Sequence, residues 1–235
     1  MGQNSGFTVW LTGMSGTGKS TLANYLAARL RQVGRNVEVL DESDVAGNLW
    51  KGLGESKEER NEVVRRLGYV ANLLTRNQVA TLVAAVSPYK AAREENRKVV
   101  GRYLEVYVDC PTEKLIERDS TGKYKKALAG EIPNFIGITE PYEPPSAPEV
   151  TIHSDAELVE GGALRIFQAL LDLGLVTPEE LRVITGKRMK KGGSPESAKK
   201  ARGRGKAGKK ASKGAKARPS ARAARVAKPA KKRKR

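Results

Sequence analysis

From residue 7 to residue 175 the chain alternates short, nearly uniform apolar runs with longer stretches in which apolar side chains recur every three or four residues. The short runs are Phe7–Thr12, Asn36–Leu40, Val79–Val86, Tyr103–Asp109 and Glu149–Ile152. The third and fourth are rich in Val, Ala and Tyr and apolar almost throughout, which predicts strands covered on both faces. Between the runs, Leu22, Leu26, Leu30 and Val33 share one face of a predicted helix, and Gly34 follows as its natural C-terminal stop. Helical patterns also run over Glu58–Asn77, Lys90–Gly101 and Ala156–Leu173, and Thr177 is placed to cap a short helix over Pro178–Leu181. Strands alternating with helices predict an α/β domain of three layers, a parallel sheet between helices.

After Gly186 the alternation stops. Lys, Arg, Ala, Gly, Ser and Pro take over, with hardly an apolar side chain larger than Ala. Such a segment cannot offset its ordering entropy and is expected to be disordered by itself. The expected division is a domain over 1–185 and a basic tail over 186–235.

Charge follows the same division. Of the net +18 on 235 residues, residues 187–235 supply +21, with 22 Lys and Arg against Glu196 alone, so residues 1–186 stand at about −3. A sequence pI near 10.0 therefore describes the tail and not the domain. The tail carries no aromatic side chain, so base stacking is not on offer. Its expected partner is nucleic acid or another polyanion, bound through phosphates in a salt-dependent way. The competing reading is a tail that only solvates the chain or docks another protein. Cys110 stands alone, so no internal disulfide can form, in keeping with a reducing compartment. The sequence has neither an apolar run long enough for a membrane helix nor a basic-then-apolar start, so the expectation is a soluble, cytoplasmic protein without membrane contact.

The stretch Gly13-Met14-Ser15-Gly16-Thr17-Gly18-Lys19-Ser20 fits the pattern G-x-x-x-x-G-K-[ST] at every fixed position. A predicted strand enters it and a predicted helix leaves it, the context this motif needs. Glycines let backbone N–H groups turn in around phosphates, and the helix N-terminus adds its positive end. Lys19 would reach the β- and γ-phosphates, and Ser20 would ligate magnesium. No Asn-Lys-x-Asp guanine signature is present, which favours ATP. Asp41, closing the second predicted strand, is the candidate acid near a Mg²⁺ ion, against the plainer reading of a surface carboxylate at a strand end.

Beyond the loop, residues 6 to 175 resemble the adenylylsulfate kinase (APS kinase) family of P-loop kinases. The resemblance is carried by "VWLTGMSGTGKSTLA", "RRLGYVANLL", "SPYKAAR" and, most densely, "EVYVDCPTEKLIERDSTGKYKKALAGEIPNFIGITEPYEPP". It implies a P-loop kinase fold and transfer of the γ-phosphate of ATP to the 3′-hydroxyl of adenosine 5′-phosphosulfate (APS), with Mg²⁺, and a family that often forms homodimers. It further implies that Gly13 to Ser20 hold ATP and metal and that Arg118 and Asp119 approach the ATP adenine. Lys125 and Lys126 would lie on a lid that closes over the phosphates. Phe135 would stack on the APS adenine, and Arg60 would reach the APS anion. On spacing alone, Lys125 and Lys126 read equally as a solvated helix face and Phe135 as core.

The chain departs from the family on one side. Where the family reads D-G-D-N-V-R-x-G-L, this chain reads "DESDVAGNL" from Asp41 to Leu49. Ser43 then stands at an aspartate tied to catalysis, Asp44 at the asparagine and Ala46 at an APS-binding arginine. Glu55 replaces an adenine-stacking aromatic, and Val63 replaces an asparagine. These positions belong to the acceptor side, while the ATP side is intact. Losing an arginine–anion contact costs on the order of 1.5–3 kcal/mol. The first expectation is therefore an APS kinase-type phosphotransferase. The alternatives are a kinase of this type with another acceptor, and a catalytically weak nucleotide-binding module held to nucleic acid by its tail.

Overall fold

The computed structural model describes residues 5–186. The strands are β1 (Phe7–Thr12), β2 (Val37–Asp41), β3 (Ala80–Ala84), β4 (Tyr103–Asp109) and β5 (Val150–His153). They form one parallel sheet in the order β2-β3-β1-β4-β5, with Phe7 beside Ala80 on one flank of β1 and Thr8 beside Tyr103 on the other. The sheet grows from β1 in both directions, so the C-terminal end of β1 lies at the point where connections diverge, the usual place for a ligand crevice in such sheets.

Side chains alternate across β1 and divide the core in two. Phe7, Val9 and Leu11 face helices α1 (Lys19–Gln32), α7 (Val159–Asp172) and α8 (Pro178–Thr185), where Leu26, Leu30, Ile166 and Phe167 are fully buried. Trp10 faces the other layer, α3 (Lys57–Arg76) and α4 (Lys90–Val100), through Val64, Leu67, Ala71 and Ala92. The three layers expected from the alternating pattern are present.

The remaining helices are α2 (Glu42–Leu49), α5 (Thr112–Glu117) and α6 (Lys123–Leu128). None of the three stands out as a helical repeat in the sequence. α2 has few apolar positions and forms because the Asp41 carboxylate caps it by accepting from the Ser43 N–H. α5 and α6 have six residues each, too short to repeat a 3.6-residue pattern.

Several boundaries also move. The run expected as a strand over Val79–Val86 pairs only from Ala80 to Ala84. Beyond it the Val86 N–H goes to the Glu42 carboxylate, and Ser87 takes a left-handed φ of 38° before Pro88. The helix expected from Ala156 starts at Val159, because Ala156 and Glu157 form a turn on the His153 carbonyl. α8 runs past Leu181 to Thr185, secured by a capping box between Thr177 and Glu180 and stopped at Gly186. Arg35, buried, joins it to the domain by pairing with Glu180 and donating to the Leu175 carbonyl at 3.0 Å.

Apart from Gly186, the basic tail of the sequence reading lies outside the described residues. Among the described residues no helix is long and apolar enough to cross a membrane.

Candidate active site

β1 runs straight into the phosphate loop, and the loop closes onto α1. Gly13 has φ 151°, and a Cβ there would stand 2.2 Å from the Val108 carbonyl oxygen on β4, so the loop passes the sheet where only glycine fits. Gly18 precedes α1 in the left-handed region and offers no side-chain cap. The first-turn N–H groups of α1 are thus left for an anion. Lys19 is buried and its Nζ folds back to donate to the carbonyls of Gly13 at 2.9 Å and Met14 at 2.7 Å. Burial pulls its pKa down to about 8, against the upward pull of Glu42 and Asp41.

Although β3 separates β2 from β1, Asp41 at the end of β2 reaches the loop. Its carboxylate accepts from the Ser20 side chain and from both the N–H and the Oγ of Ser43, the latter at 2.6 Å. Burial pushes its pKa up, but these hydrogen bonds and the Lys19 charge hold it below the usual carboxylate value. A hydroxyl and an ionised carboxylate form a hard oxygen pair beside the phosphate loop. This suits Mg²⁺, which takes one or two protein ligands and completes its shell with phosphate and water. Among the described residues no group of three or more His, Cys, Asp or Glu offers a denser metal cage.

Two cavities flank the loop on opposite sides. One, of about 200 Å³, lies toward β4 and β5 and is lined by Gly16, Gly18, Thr21, Arg118, Ser154 and Val159. Arg118 is fixed there by donating to the Ser154 carbonyl at 3.2 Å. Asp119 does not line this cavity. Its carboxylate accepts from Thr121 and from the Tyr124 N–H at 2.7 Å, so it anchors the start of α6.

The other cavity, of about 180 Å³, lies toward β3 and is lined by Glu42, Trp50, Glu55, Arg60, Val63 and Ser87 among others. Its wall is largely apolar, and its charges sit at two places. Arg60 donates to the carbonyls of Glu55 at 2.9 Å and Asn134 at 2.8 Å and pairs with the Glu55 carboxylate at 3.5 Å. Glu42 enters from the start of α2. Burial pushes its pKa up, opposed by the Val86 N–H and by the charges of Lys19 and Arg60. The indole nitrogen of Trp50 is buried without a hydrogen-bond partner.

The expected lid is α6, with Lys125 and Lys126 exposed on it. Tyr124 turns inward, donates to the Ser15 carbonyl at 2.7 Å and meets Phe135 edge-on at 4.9 Å. Phe135 is half-buried in a cluster with Met14, Cys110 and Tyr124. α6 thus rests directly on the phosphate loop. The "SPYKAAR" and "PYEPP" stretches meet as well: Arg93 donates to the carbonyls of Ser87 and Glu143, and the Glu143 carboxylate accepts from the Lys90 N–H at 2.9 Å.

A model of the adenylylsulphate kinase family matches residues 5–153, well over half of the chain. The chain belongs to the adenylylsulphate kinase family. An adenylyl-sulfate kinase of Rippkaea orientalis is 50% identical over 172 residues, 73% of this chain and 95% of the relative. One from Myxococcus xanthus is 47% identical over 180 residues, 75% of this chain and 97% of its own length. Among solved structures, the Mycobacterium tuberculosis APS kinase CysC in complex with AMPPNP and APS is 37% identical, with a TM-score of 0.68 over 71% of this chain and 98% of that one. The fold is therefore the α/β P-loop kinase fold, with a parallel five-stranded sheet.

Of the residues singled out from the sequence, Gly13 to Ser20, Asp41 and Ser43 gather at the end of β1. Arg118 lines one cavity and Arg60 the other, while Lys125 and Lys126 lie on α6, Asp119 just before it and Phe135 packed against its Tyr124. Glu42 and Trp50 were missed. Glu42 did leave a signal, a carboxylate where the family pattern has glycine.

Proposed function

We propose that this protein phosphorylates APS at its 3′-hydroxyl with ATP, yielding 3′-phosphoadenosine 5′-phosphosulfate and ADP. The observation that carries the reading is an intact phosphate loop with a cavity on each side, in a chain half identical to an adenylyl-sulfate kinase along almost that enzyme's whole length. The APS-bound relative adds the substrate class, since its structure holds AMPPNP and APS together.

In this reading the backbone of Gly13–Gly18 and the α1 N-terminus hold the phosphates of ATP, and Lys19 leaves its two carbonyl partners to meet the β- and γ-oxygens. Arg118 lies beside the adenine. Ser20 and Asp41 would hold Mg²⁺, which when bound neutralises charge on the β- and γ-phosphates. The second cavity takes APS. Arg60 faces the APS anion and the apolar wall lies against its base. Lys125 and Lys126 come down with α6 to exclude water, and Phe135 orders the turn behind them. Ser43, whose hydroxyl is given to Asp41, supports that carboxylate and does not itself meet the substrate.

ADP release by purified protein, followed by a coupled assay with ATP and Mg²⁺, should depend on APS. ADP release that APS does not stimulate would overturn the reading.

A further inference from the structure

The last side chain of β1 joins the two sides of the cleft. Thr12 is fully buried and stands one residue before the phosphate loop. Its Oγ1 donates to the Val86 carbonyl at 2.9 Å and accepts from the Ser87 Oγ, also at 2.9 Å. The Tyr142 hydroxyl lies 2.8 Å from the same oxygen and donates to it, since the one Thr12 proton is already given to Val86. One donated and two accepted bonds fill the capacity of a hydroxyl. Behind Ser87, the Trp10 indole N–H donates to the Ser87 Oγ at 3.0 Å, so the chain of bonds starts in the core.

These bonds hold segments that the sheet itself lets go. The ladder between β1 and β3 ends where the Ala85 N–H donates to the Leu11 carbonyl at 3.1 Å, and the Val86 N–H then goes to Glu42. From there the Thr12 side chain holds the departing chain to β1. Ser87 and Pro88, next along it, line the acceptor cavity, with Ser87 at φ 38°. Tyr142 stacks on Tyr107 of β4 with 5.9 Å between ring centres, and the Glu143 N–H after it donates to the Pro88 carbonyl at 2.8 Å. The acceptor wall and the segment that returns from α6 to β5 are therefore both tied to one oxygen, at the root of the phosphate loop.

We infer that Thr12 is a positioning residue for the phosphotransfer, its hydroxyl setting the Val86–Pro88 wall and Tyr142 at a fixed distance from the phosphate loop. The inference rests on the reading of the two cavities as donor and acceptor sites. Transfer needs the acceptor oxygen in line with the γ-phosphorus, and a misplacement of about 1 Å costs about 10²-fold in rate. Thr12 touches neither substrate in this role. Valine has nearly the shape of threonine but no hydroxyl, so Thr12→Val leaves Ser87, Tyr142 and the Val86 carbonyl each without this partner. Ser87 then has the Ala85 carbonyl, at 3.4 Å, to turn to. The wall shifts while the loop keeps its glycines and Lys19.

The test compares Thr12→Val, Thr12→Ser and Tyr142→Phe in the full chain. With ATP, Mg²⁺ and APS, kcat of Thr12→Val should fall by about 10–10²-fold while KM for ATP stays within about twofold. Thr12→Ser keeps the hydroxyl and should stay within about threefold of the unmodified chain. Tyr142→Phe keeps the ring on Tyr107 and removes one bond of the three, so its loss should fall between the two. An unchanged kcat in Thr12→Val overturns the inference, and so does an equal loss in Thr12→Ser. If Thr12→Val does not fold, Tyr142→Phe decides: a lower kcat at unchanged KM for ATP upholds the inference, and an unchanged kcat overturns it. A second readout needs no acceptor. Amide hydrogen exchange over residues 84–90 and 140–146 should quicken by about tenfold in Thr12→Val, or less steeply in Tyr142→Phe, while α1 and α7 keep their rates. If the unmodified chain turns over no APS, the substrate reading fails and Thr12 is judged on exchange alone: faster exchange confined to those two segments upholds it, and no change, or an equal rise throughout the domain, overturns it.

Discussion

The two sides of the cleft are built from different materials. The donor side is made largely of backbone: loop N–H groups, the open first turn of α1, Gly13 where a Cβ would strike the sheet, and Gly16 and Gly18 at left-handed φ. The acceptor side is made of side chains, namely Glu42, Trp50, Glu55, Arg60 and Val63, carried by α2, α3 and the segments that join them. A backbone site tolerates little change, because Gly13 answers to a contact with the sheet and Gly16 and Gly18 to a left-handed backbone. A side-chain site can exchange one group for another while the scaffold stays intact. This chain fits that contrast: the phosphate-loop motif is complete on one side, and of the positions where the sequence reading expected departures from the family, Glu55 and Val63 line the cavity on the other.

The donor side should be the more fragile to single changes. Lys19→Met is expected to lower turnover by about 10²–10³-fold or more, the usual cost of removing a group aimed at transition-state charge. The same change should leave the ligand-free chain equally stable or more so at pH 7, because burial disfavours the Lys19 charge. The sign follows from its pKa of about 8, below the 10.5 of the unfolded chain. Between those values the unfolded state binds more protons, so Lys19 makes stability rise with pH there. Over the same window nucleotide affinity should fall, since a neutral amine no longer draws phosphate. Melting curves and nucleotide titrations at pH 7 and pH 9, compared between Lys19→Met and the unmodified chain, check both. Equal pH dependence in the two proteins would show that Lys19 does not titrate there.

Gly13→Ala comes next. The added methyl would lie 2.2 Å from a backbone oxygen of β4, which cannot swing aside as a side chain can. A stability loss of about 1–3 kcal/mol is expected, with weaker nucleotide binding. A variant with unchanged melting temperature and affinity would mean that the loop is not pinned to the sheet at this point.

The same contrast governs what could be read from the sequence. The sheet, its flanking helices and the phosphate loop were legible because each rests on a repeat or a fixed pattern: continuous apolar strands, Leu22–Leu26–Leu30, glycines before Lys19. The acceptor cavity was not, because it is assembled from short pieces. α2 exists through a single cap at Asp41, and the run after Ala84 leaves the sheet to become cavity wall. Glu42 was passed over because its place in the cavity wall depends on that departure, which frees the Val86 N–H it accepts. The sequence offered no neighbours for Asp119 and Phe135; the structure puts the Asp119 carboxylate at the head of α6 and Phe135 against Tyr124.

A smaller effect belongs to the rim of the acceptor side. Glu55 pairs with Arg60 at 3.5 Å and is largely exposed, so it competes with an anionic acceptor for the same guanidinium. Exposed pairs of this kind are worth about 0.2–1 kcal/mol, so Glu55→Gln should lower KM for APS by at most about fivefold. Turnover at saturation and KM for ATP should not move. A rise in KM for APS would reverse the argument and make Glu55 a substrate-binding group.

The smallest effect on turnover is expected from the region that belongs to neither side. Every residue assigned to the two cavities and the lid precedes Gly186, where α8 stops. Truncation after Gly186 should therefore leave kcat and both KM values within about twofold. It also removes a net charge of +21 and leaves a domain near −3. Binding to duplex DNA or RNA, if this chain has it, must then reside almost wholly in the removed segment. Lys and Arg meeting phosphates release counterions, so affinity of the full chain should fall steeply with salt, with a slope of about −0.9 per phosphate neutralised and little preference between two unrelated duplexes. A salt titration of full-length and truncated protein measures this directly. Binding that survives truncation, or that ignores salt, would place the polyanion site in the domain. A loss of turnover on truncation would tie the tail to one side of the cleft and break their independence from it.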